Sequence, residues 1–122
     1  MPYIKIYPMG EVPIRKLHSG ELSLKLLQDE VGGLIEPIYR VLPEITDRVP
    51  AAVMLVNEEG IIKDLHFNPL ATVLHGDAIF GDALLLKTAV VNEDGEEAFA
   101  ELTEDEAKEI RRFLIGGGTS NA

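Results

Sequence analysis

Six consecutive apolar residues, Ala51 to Val56, constrain this chain more than any other feature. A strand of that composition presents apolar side chains to both faces, which places it centrally in a sheet rather than at a solvated edge. The run is far shorter than the roughly 20 apolar residues of a membrane-spanning helix. The same holds for the second apolar run, Ala83 to Leu86.

Strand patterns surround the central run. The opening YIKIYPMGEVPIRKL alternates apolar and polar residues on both sides of Pro8 and Gly10, which predicts a hairpin or meander. Pro13 cannot donate to a ladder, so the second of these strands belongs at an edge. LIEPIYRVL reads as a strand with a proline bend, and AAVMLVNEEGIIKDL as a buried strand, a tight turn at Glu59-Gly60 and a returning strand. ALLLKTAVVNEDGEEAFAEL gives a further hairpin turning at Asp94-Gly95.

Two amphipathic helices are expected. In SGELSLKLLQDEVGG, Leu24, Leu27 and Val31 form a stripe that Leu22 and Leu26 widen, with Ser19 as N-cap and Gly32 or Gly33 as the stop. In TEDEAKEIRRFL, Thr103 and Glu106 form a capping box and Ala107, Ile110 and Leu114 make the buried stripe. The sum predicts an α+β domain, a mostly antiparallel sheet with two helices covering one face and a short helical turn near residues 69–75. With 122 residues and 46% hydrophobic content, one core over residues 1–115 is expected, followed by a flexible tail at 116–122.

Charge and composition exclude several function classes. The chain carries 21 acids against 11 bases, and between residues 89 and 109 nine acids face Lys108 alone. Such a field repels phosphate backbones and disfavours direct nucleic-acid binding. The absence of cysteine removes disulfides, thiolate metal sites and thiol nucleophiles. No signal peptide or membrane anchor is expected, and a cytoplasmic setting follows as the working expectation. A homo-oligomer is expected, because a sheet of this size has edges to cover and Ala83 to Leu86 exceed what one small core is expected to bury.

The stretch NPLATVLHGDAIFGDALLL, residues 68–86, gathers the most special chemistry. Asn68-Pro69 starts a turn, LATVLHG is long enough for one to two helical turns, and glycine-rich backbone beside a short helix offers amide donors to an anion. Asn68, Thr72, His75, Gly81 and Asp82 are therefore the expected ligand-binding residues. His66, His75, Asp77 and Asp82 are metal-ligand types, but their spacing matches no compact motif, so no metal and no cofactor is expected. No Ser, Cys or Lys stands in a nucleophile context, so no catalytic residue is assigned. The acidic run offers a second surface at Glu93, Asp94, Glu96 and Glu97, able to imitate phosphates toward a basic partner.

VGGLIEPI, MLVNEEGIIKDLHFNPLATVLHG, AIFGDALLL and GEEAFAELTEDEAKEIRRFL together resemble a family of small proteins from phages, plasmids and bacterial genomes, catalogued only as a domain of unknown function. The family's recurring positions fall on Gly32, Gly33, Asn57, Gly60, Asn68, Ala71 and Gly81. The resemblance implies a mobile-element setting, in which small acidic proteins act by binding host components. The functional expectation is a non-enzymatic binder that sequesters a small anionic, nucleotide-like ligand or a host protein. The alternatives are an acidic nucleic-acid mimic acting through residues 93–109 and a metal-dependent hydrolase using His66, His75, Asp77 and Asp82.

Overall fold

A computed structural model describes residues 2–16, 22–90, 93–95 and 97–117. Its strands are β1 (Pro2–Ile6), β2 (Ile14–Lys16), β3 (Ile35–Ile38), β4 (Ala52–Asn57), β5 (Ala83–Val90) and β6 (Glu97–Ala100). The helices are α1 (Leu24–Val31), α2 (Pro43–Thr46), α3 (Pro69–His75) and α4 (Glu104–Arg112), the last ending in a wider turn at Phe113–Gly117. All strand pairings are antiparallel, in the order β2-β1-β5-β4-β3, with β6 joined to β5. The expected α+β class is the observed one, and the 69–75 turn is α3.

β5 organises the sheet. Its first residues pair with β1 (Ile4 with Leu85, Ile6 with Ala83) and its later ones with β6 (Lys87 with Ala100), while β4 runs along its other side. Ala83, Leu84, Leu85 and Leu86 are all fully buried, Ala83 and Leu85 in one cluster and Leu84 and Leu86 in the other, so the chain absorbs the whole run by using both faces.

Both faces of the sheet are covered, not one. Leu27 and Val31 of α1 pack on Tyr3, Val53, Leu55, Leu84 and Leu86. Ile45 of α2, Ala71 and Leu74 of α3 and Ala107 and Ile110 of α4 pack on the opposite side with Ile4, Ile6, Met54, Val56 and Leu85. The period of two in β4 and β5 sends apolar side chains both ways, so each face needs its own layer. The helix layer on the second face includes α2, which the sequence pattern missed.

Local signals account for the helix ends. Ser23 caps α1 by accepting from Leu26 N–H at 3.1 Å, and Gly32 closes it in the left-handed region at φ 80°. Ser19, the expected cap, lies outside the described residues. Leu24 is exposed, so the buried stripe of α1 is Leu27 and Val31 with Leu26 at its margin. The capping box of Thr103 and Glu106 is present at α4.

The returning strand expected after Gly60 does not form. Both sides of β4 are already occupied by β3 and β5, so a further strand has nowhere to pair. Residues 58–64 form instead a closed turn, with Lys63 N–H donating to Glu59 and Leu65 N–H to Gly60. Gly60 is obligatory in it, because a Cβ there would lie 2.6 Å from the Phe80 carbonyl oxygen.

The sheet edges are blunted within the chain. Leu34 accepts from Glu58 N–H, which by alternation turns the backbone of Ile35 and Pro37 outward along β3. A proline at an outward position removes a donor from that edge. β2, at the other edge, is three residues long and carries Arg15 and Lys16. The exception is β6: among the described residues it pairs with β5 alone, so one edge of the sheet stays open to a partner strand.

Asn68 joins three segments. It is fully buried, donates from Nδ2 to the carbonyls of Ile6 (3.0 Å) and Gly81 (2.8 Å), and accepts at Oδ1 from Ala71 N–H (3.1 Å) as the N-cap of α3. Asn68→Ala would orphan two buried carbonyls and one helix N–H, at a cost of about 3 kcal/mol. The expected outcome is a correspondingly lower urea midpoint with an unchanged slope, measured by circular dichroism. A midpoint within error of the parent would remove this residue from the framework.

Candidate functional site

The residues expected to bind a ligand divide into two groups. Asn68 has its amide committed as described, Thr72 Oγ accepts from Ile79 N–H at 2.9 Å, and His75 Nδ1 meets the Arg40 carbonyl at 2.9 Å. A carbonyl only accepts, so that imidazole nitrogen carries the proton. These three residues fasten α3 to its surroundings and do not assemble into a set of free polar groups. Gly81 and Asp82 are different, because they line a cavity of about 310 Å³ with Lys5, Glu30 and His66. Gly81 adopts φ 94°, and a Cβ there would meet Leu65 at 2.7 Å. His66, His75, Asp77 and Asp82 do not converge: among the described residues no three His, Cys, Asp or Glu are placed to hold a metal ion. On the acidic surface, Glu93 and Asp94 are exposed, while Glu96 and the Glu97 side chain lie outside the described residues.

A buried charge cluster, unanticipated from sequence, sits in the seam between β1 and α1. Tyr3 and Lys5 are two apart on β1 and so share the face toward α1, whose last turn carries Glu30. Register sets Arg15 of β2 directly beside Tyr3. Glu30 accepts from the Tyr3 hydroxyl and from Lys5 Nζ at 3.0 Å, and Arg15 approaches it at 3.5 Å. Lys5 is only 7% exposed; its ammonium also meets Asp82 at 3.4 Å and lies 4.8 Å from the centre of the Tyr7 ring.

The cluster sets its own ionisation. Burial pushes the Glu30 carboxyl up, but the hydrogen bonds from Tyr3 and Lys5 and the charges of Lys5 and Arg15 outweigh it and hold the group below the ordinary value of 4.5. Burial likewise works against the Lys5 ammonium, yet Glu30 and Asp82 leave it raised. Burial and then Glu30 push the Tyr3 phenol up to about 12, partly opposed by Arg15. All four groups are thereby locked in one protonation state across the neutral range.

On the outer side of this cluster lies a cleft of about 660 Å³. Its apolar floor includes Tyr3, Ile14 and Leu26, and its rim carries Arg15, Lys16 and Lys108 with Asp29, Glu30 and Glu104. Lys16 pairs with Glu104 at 3.2 Å, and Glu30 is already compensated from within. The cleft thus gathers three of the chain's 11 bases but only three of its 21 acids. Alternation assigns Lys5 to the polar face of β1; the missed signals were Tyr3 and Tyr7 flanking it on that same face, and Glu30 four residues after Leu26 inside an apolar helical row.

An antiparallel sheet covered on both faces, with a charged seam under α1, defines a small α+β domain. Residues 1–115 match the domain of unknown function DUF3846, and the chain belongs to that family. No curated protein matches it. Among solved structures, the crystal structure of the small RNA methyltransferase HEN1 is similar over 93% of this chain and 16% of that one, at 12% identity and a TM-score of 0.56. That likeness is one of fold, and the chain spans only a small part of the enzyme's length.

The seam predicts a two-sided pH dependence. A carboxylate lowered on folding stabilises fully above its unfolded value, so the Glu30 contribution is present above about 4.5 and is lost as pH falls through the lower folded value. A phenol raised on folding acts at the other end: the Tyr3 contribution is present below 10.0 and is lost as pH climbs through about 12. Glu30→Gln should cost about 2 kcal/mol at neutral pH, less than a fully orphaned charge because Asp82 stays beside Lys5. Denaturant titrations across pH should show a shallower acid limb in that variant. Tyr3→Phe should remove the phenolate absorbance step near pH 12.

Proposed function

We propose that this protein is a non-enzymatic binder that captures a small anionic ligand, of nucleotide-like size, in the cleft between α1, β2 and α4. The observation that carries the reading is a concave surface lined by Arg15, Lys16 and Lys108 against only three acids, in a chain with net charge −10. Lys108 has no ion-pair partner among the described residues, which leaves its charge for a ligand. The apolar floor of Ile14 and Leu26 offers a surface for a planar or aliphatic portion beside the charged group.

Capture rather than turnover fits the electrostatics. Glu30 is held ionised and Tyr3 protonated, so neither is set to exchange a proton near neutral pH. In the mobile-element setting implied by the family resemblance, sequestration of a host's small anionic molecule is the role assigned. The acidic-mimic alternative draws on residues 93–109, but Glu104, Glu106 and Glu109 of that run are engaged with Lys16, Lys87 and Arg48.

The test uses ATP and inorganic pyrophosphate as probes in a thermal-denaturation titration without divalent cations, beside native mass spectrometry of the purified chain. Stabilisation should rise with the logarithm of probe concentration, reaching about 2.7 kcal/mol at a hundred times Kd. Lys108→Glu should abolish the shift, whereas Arg40→Glu, an equal charge change at an exposed position outside the cleft, should leave it. An unaltered shift in Lys108→Glu, or no shift with either probe and no retained adduct, would overturn the reading.

A further inference from the structure

The closed turn at residues 58–64 presents two adjacent isoleucines to solvent, Ile61 at 71% and Ile62 at 81% exposure. They border a groove of about 340 Å³ whose wall includes Phe80 and whose carboxylates are Glu36, Glu58 and Glu59. No base lines it; Lys63, on the same turn, is drawn to Glu59 at 3.6 Å. We infer that this groove is a docking site for a short basic, apolar segment of a partner protein, which sets a cation against Glu36 and Glu58 and an aliphatic side chain against Ile61 and Ile62.

The turn is built rigidly enough to be a surface. The Asn57 side chain accepts from Glu59 N–H at 2.8 Å and donates to the Val31 carbonyl at 3.1 Å, which anchors the turn to the end of α1. Gly60 is pressed against the Phe80 carbonyl, and Phe80 meets Phe67 edge-to-face at 5.5 Å. Exposed apolar side chains on preorganised backbone lose little ordering entropy when covered. Their exposure is not a failure of folding, because the turn cannot bury them without leaving Phe80.

Charge selects the occupant. A second copy of this chain, also at net charge −10, would bring like charge to an acidic groove. Strand addition at the neighbouring edge is hindered by the outward Pro37. A basic segment satisfies both the carboxylates and the isoleucines. The groove shares no lining residue with the anion cleft, so the two inferences stand separately.

The probe is a fluorescein-labelled synthetic peptide of alternating lysine and leucine, with its glutamate–leucine counterpart, followed by anisotropy on the full chain. The lysine peptide should bind and the glutamate peptide should not. The double variant Ile61→Ser/Ile62→Ser, which keeps every charge, should weaken binding at least about tenfold. Glu36→Gln/Glu58→Gln should weaken it about fivefold and flatten its salt dependence, while Glu11→Gln/Glu93→Gln, an equal charge change elsewhere, should leave it unaltered. If the serine pair fails to fold, Ile62→Ser alone carries the test. No binding, indifference to the serine substitutions, equal loss in the Glu11/Glu93 control, or a wild-type dimer that the serine pair converts to monomer in sedimentation would each overturn the inference.

Discussion

The burial of β5 on all sides is the constraint from which the rest of this structure follows. Ala83 to Leu86 are fully buried, with β4 on one flank and β1 then β6 on the other. Each fully buried leucine contributes about 1.5–3 kcal/mol, but only if both faces are covered, and that is why helices stand on both. The same strand fixes β1 in register. With Ile4 opposite Leu85 and Lys5 opposite Leu84, alternation turns Ile4 and Ile6 toward α4 and Tyr3 and Lys5 toward α1. The charged seam is thus a consequence of strand pairing.

Placing Lys5 inside that seam would be ruinous without Glu30, since a buried ammonium loses its hydration and must recover it from paired oxygens. Glu30 in turn needs Tyr3 and Arg15 to saturate its second oxygen. The reciprocal dependence has an outward consequence. Because Glu30 is neutralised from behind by Lys5 and from the side by Arg15, and Lys16 is paired with Glu104, Lys108 is the base of the cleft whose charge is not taken up by a neighbouring carboxylate among the described residues. A purely structural ion pair would stop at Lys5 and Glu30; here β2 and α4 add Arg15, Lys16 and Lys108 to the cleft beyond that pair.

Much of the fold was legible because its signals are local. Alternation marked β1 and β2, and unbroken apolar runs marked β4 and β5; Asn68-Pro69 and Gly76 bracketed α3; Thr103 and Glu106 marked the start of α4. Asn68 was recognisable as special, but its partners, the carbonyls of Ile6 and Gly81, lie 62 and 13 residues away. A polar residue in a loop looks the same in sequence whether it faces a ligand or ties strands together. Lys5 and Glu30, 25 positions apart, were invisible as a pair for the same reason. Ile61 and Ile62 were read as a strand because nothing local shows that both sides of β4 are taken. The positions implied by the family resemblance prove to be framework: Asn57 crowds Gly33, Gly60 abuts Phe80, and Asn68 bonds Ala71 and Gly81.

A recurrent framework with no shared reactive group leaves function to be argued from surfaces, and here the charge distribution discriminates by the size of the ligand. At physiological ionic strength fields decay over about 8 Å. A small anion inside the cleft therefore meets three bases and three acids that largely compensate one another, whereas an extended polyanion lying across the surface also meets acids of α4 and of the β5–β6 turn that no base compensates among the described residues, including Glu93 and Asp105. Its every added phosphate brings further repulsion without a further cation. On the anion-capture reading, the acidic C-terminal third is then not an idle solvated face. On that reading it adds repulsion against an extended polyanion around a cleft whose own lining balances three bases against three acids.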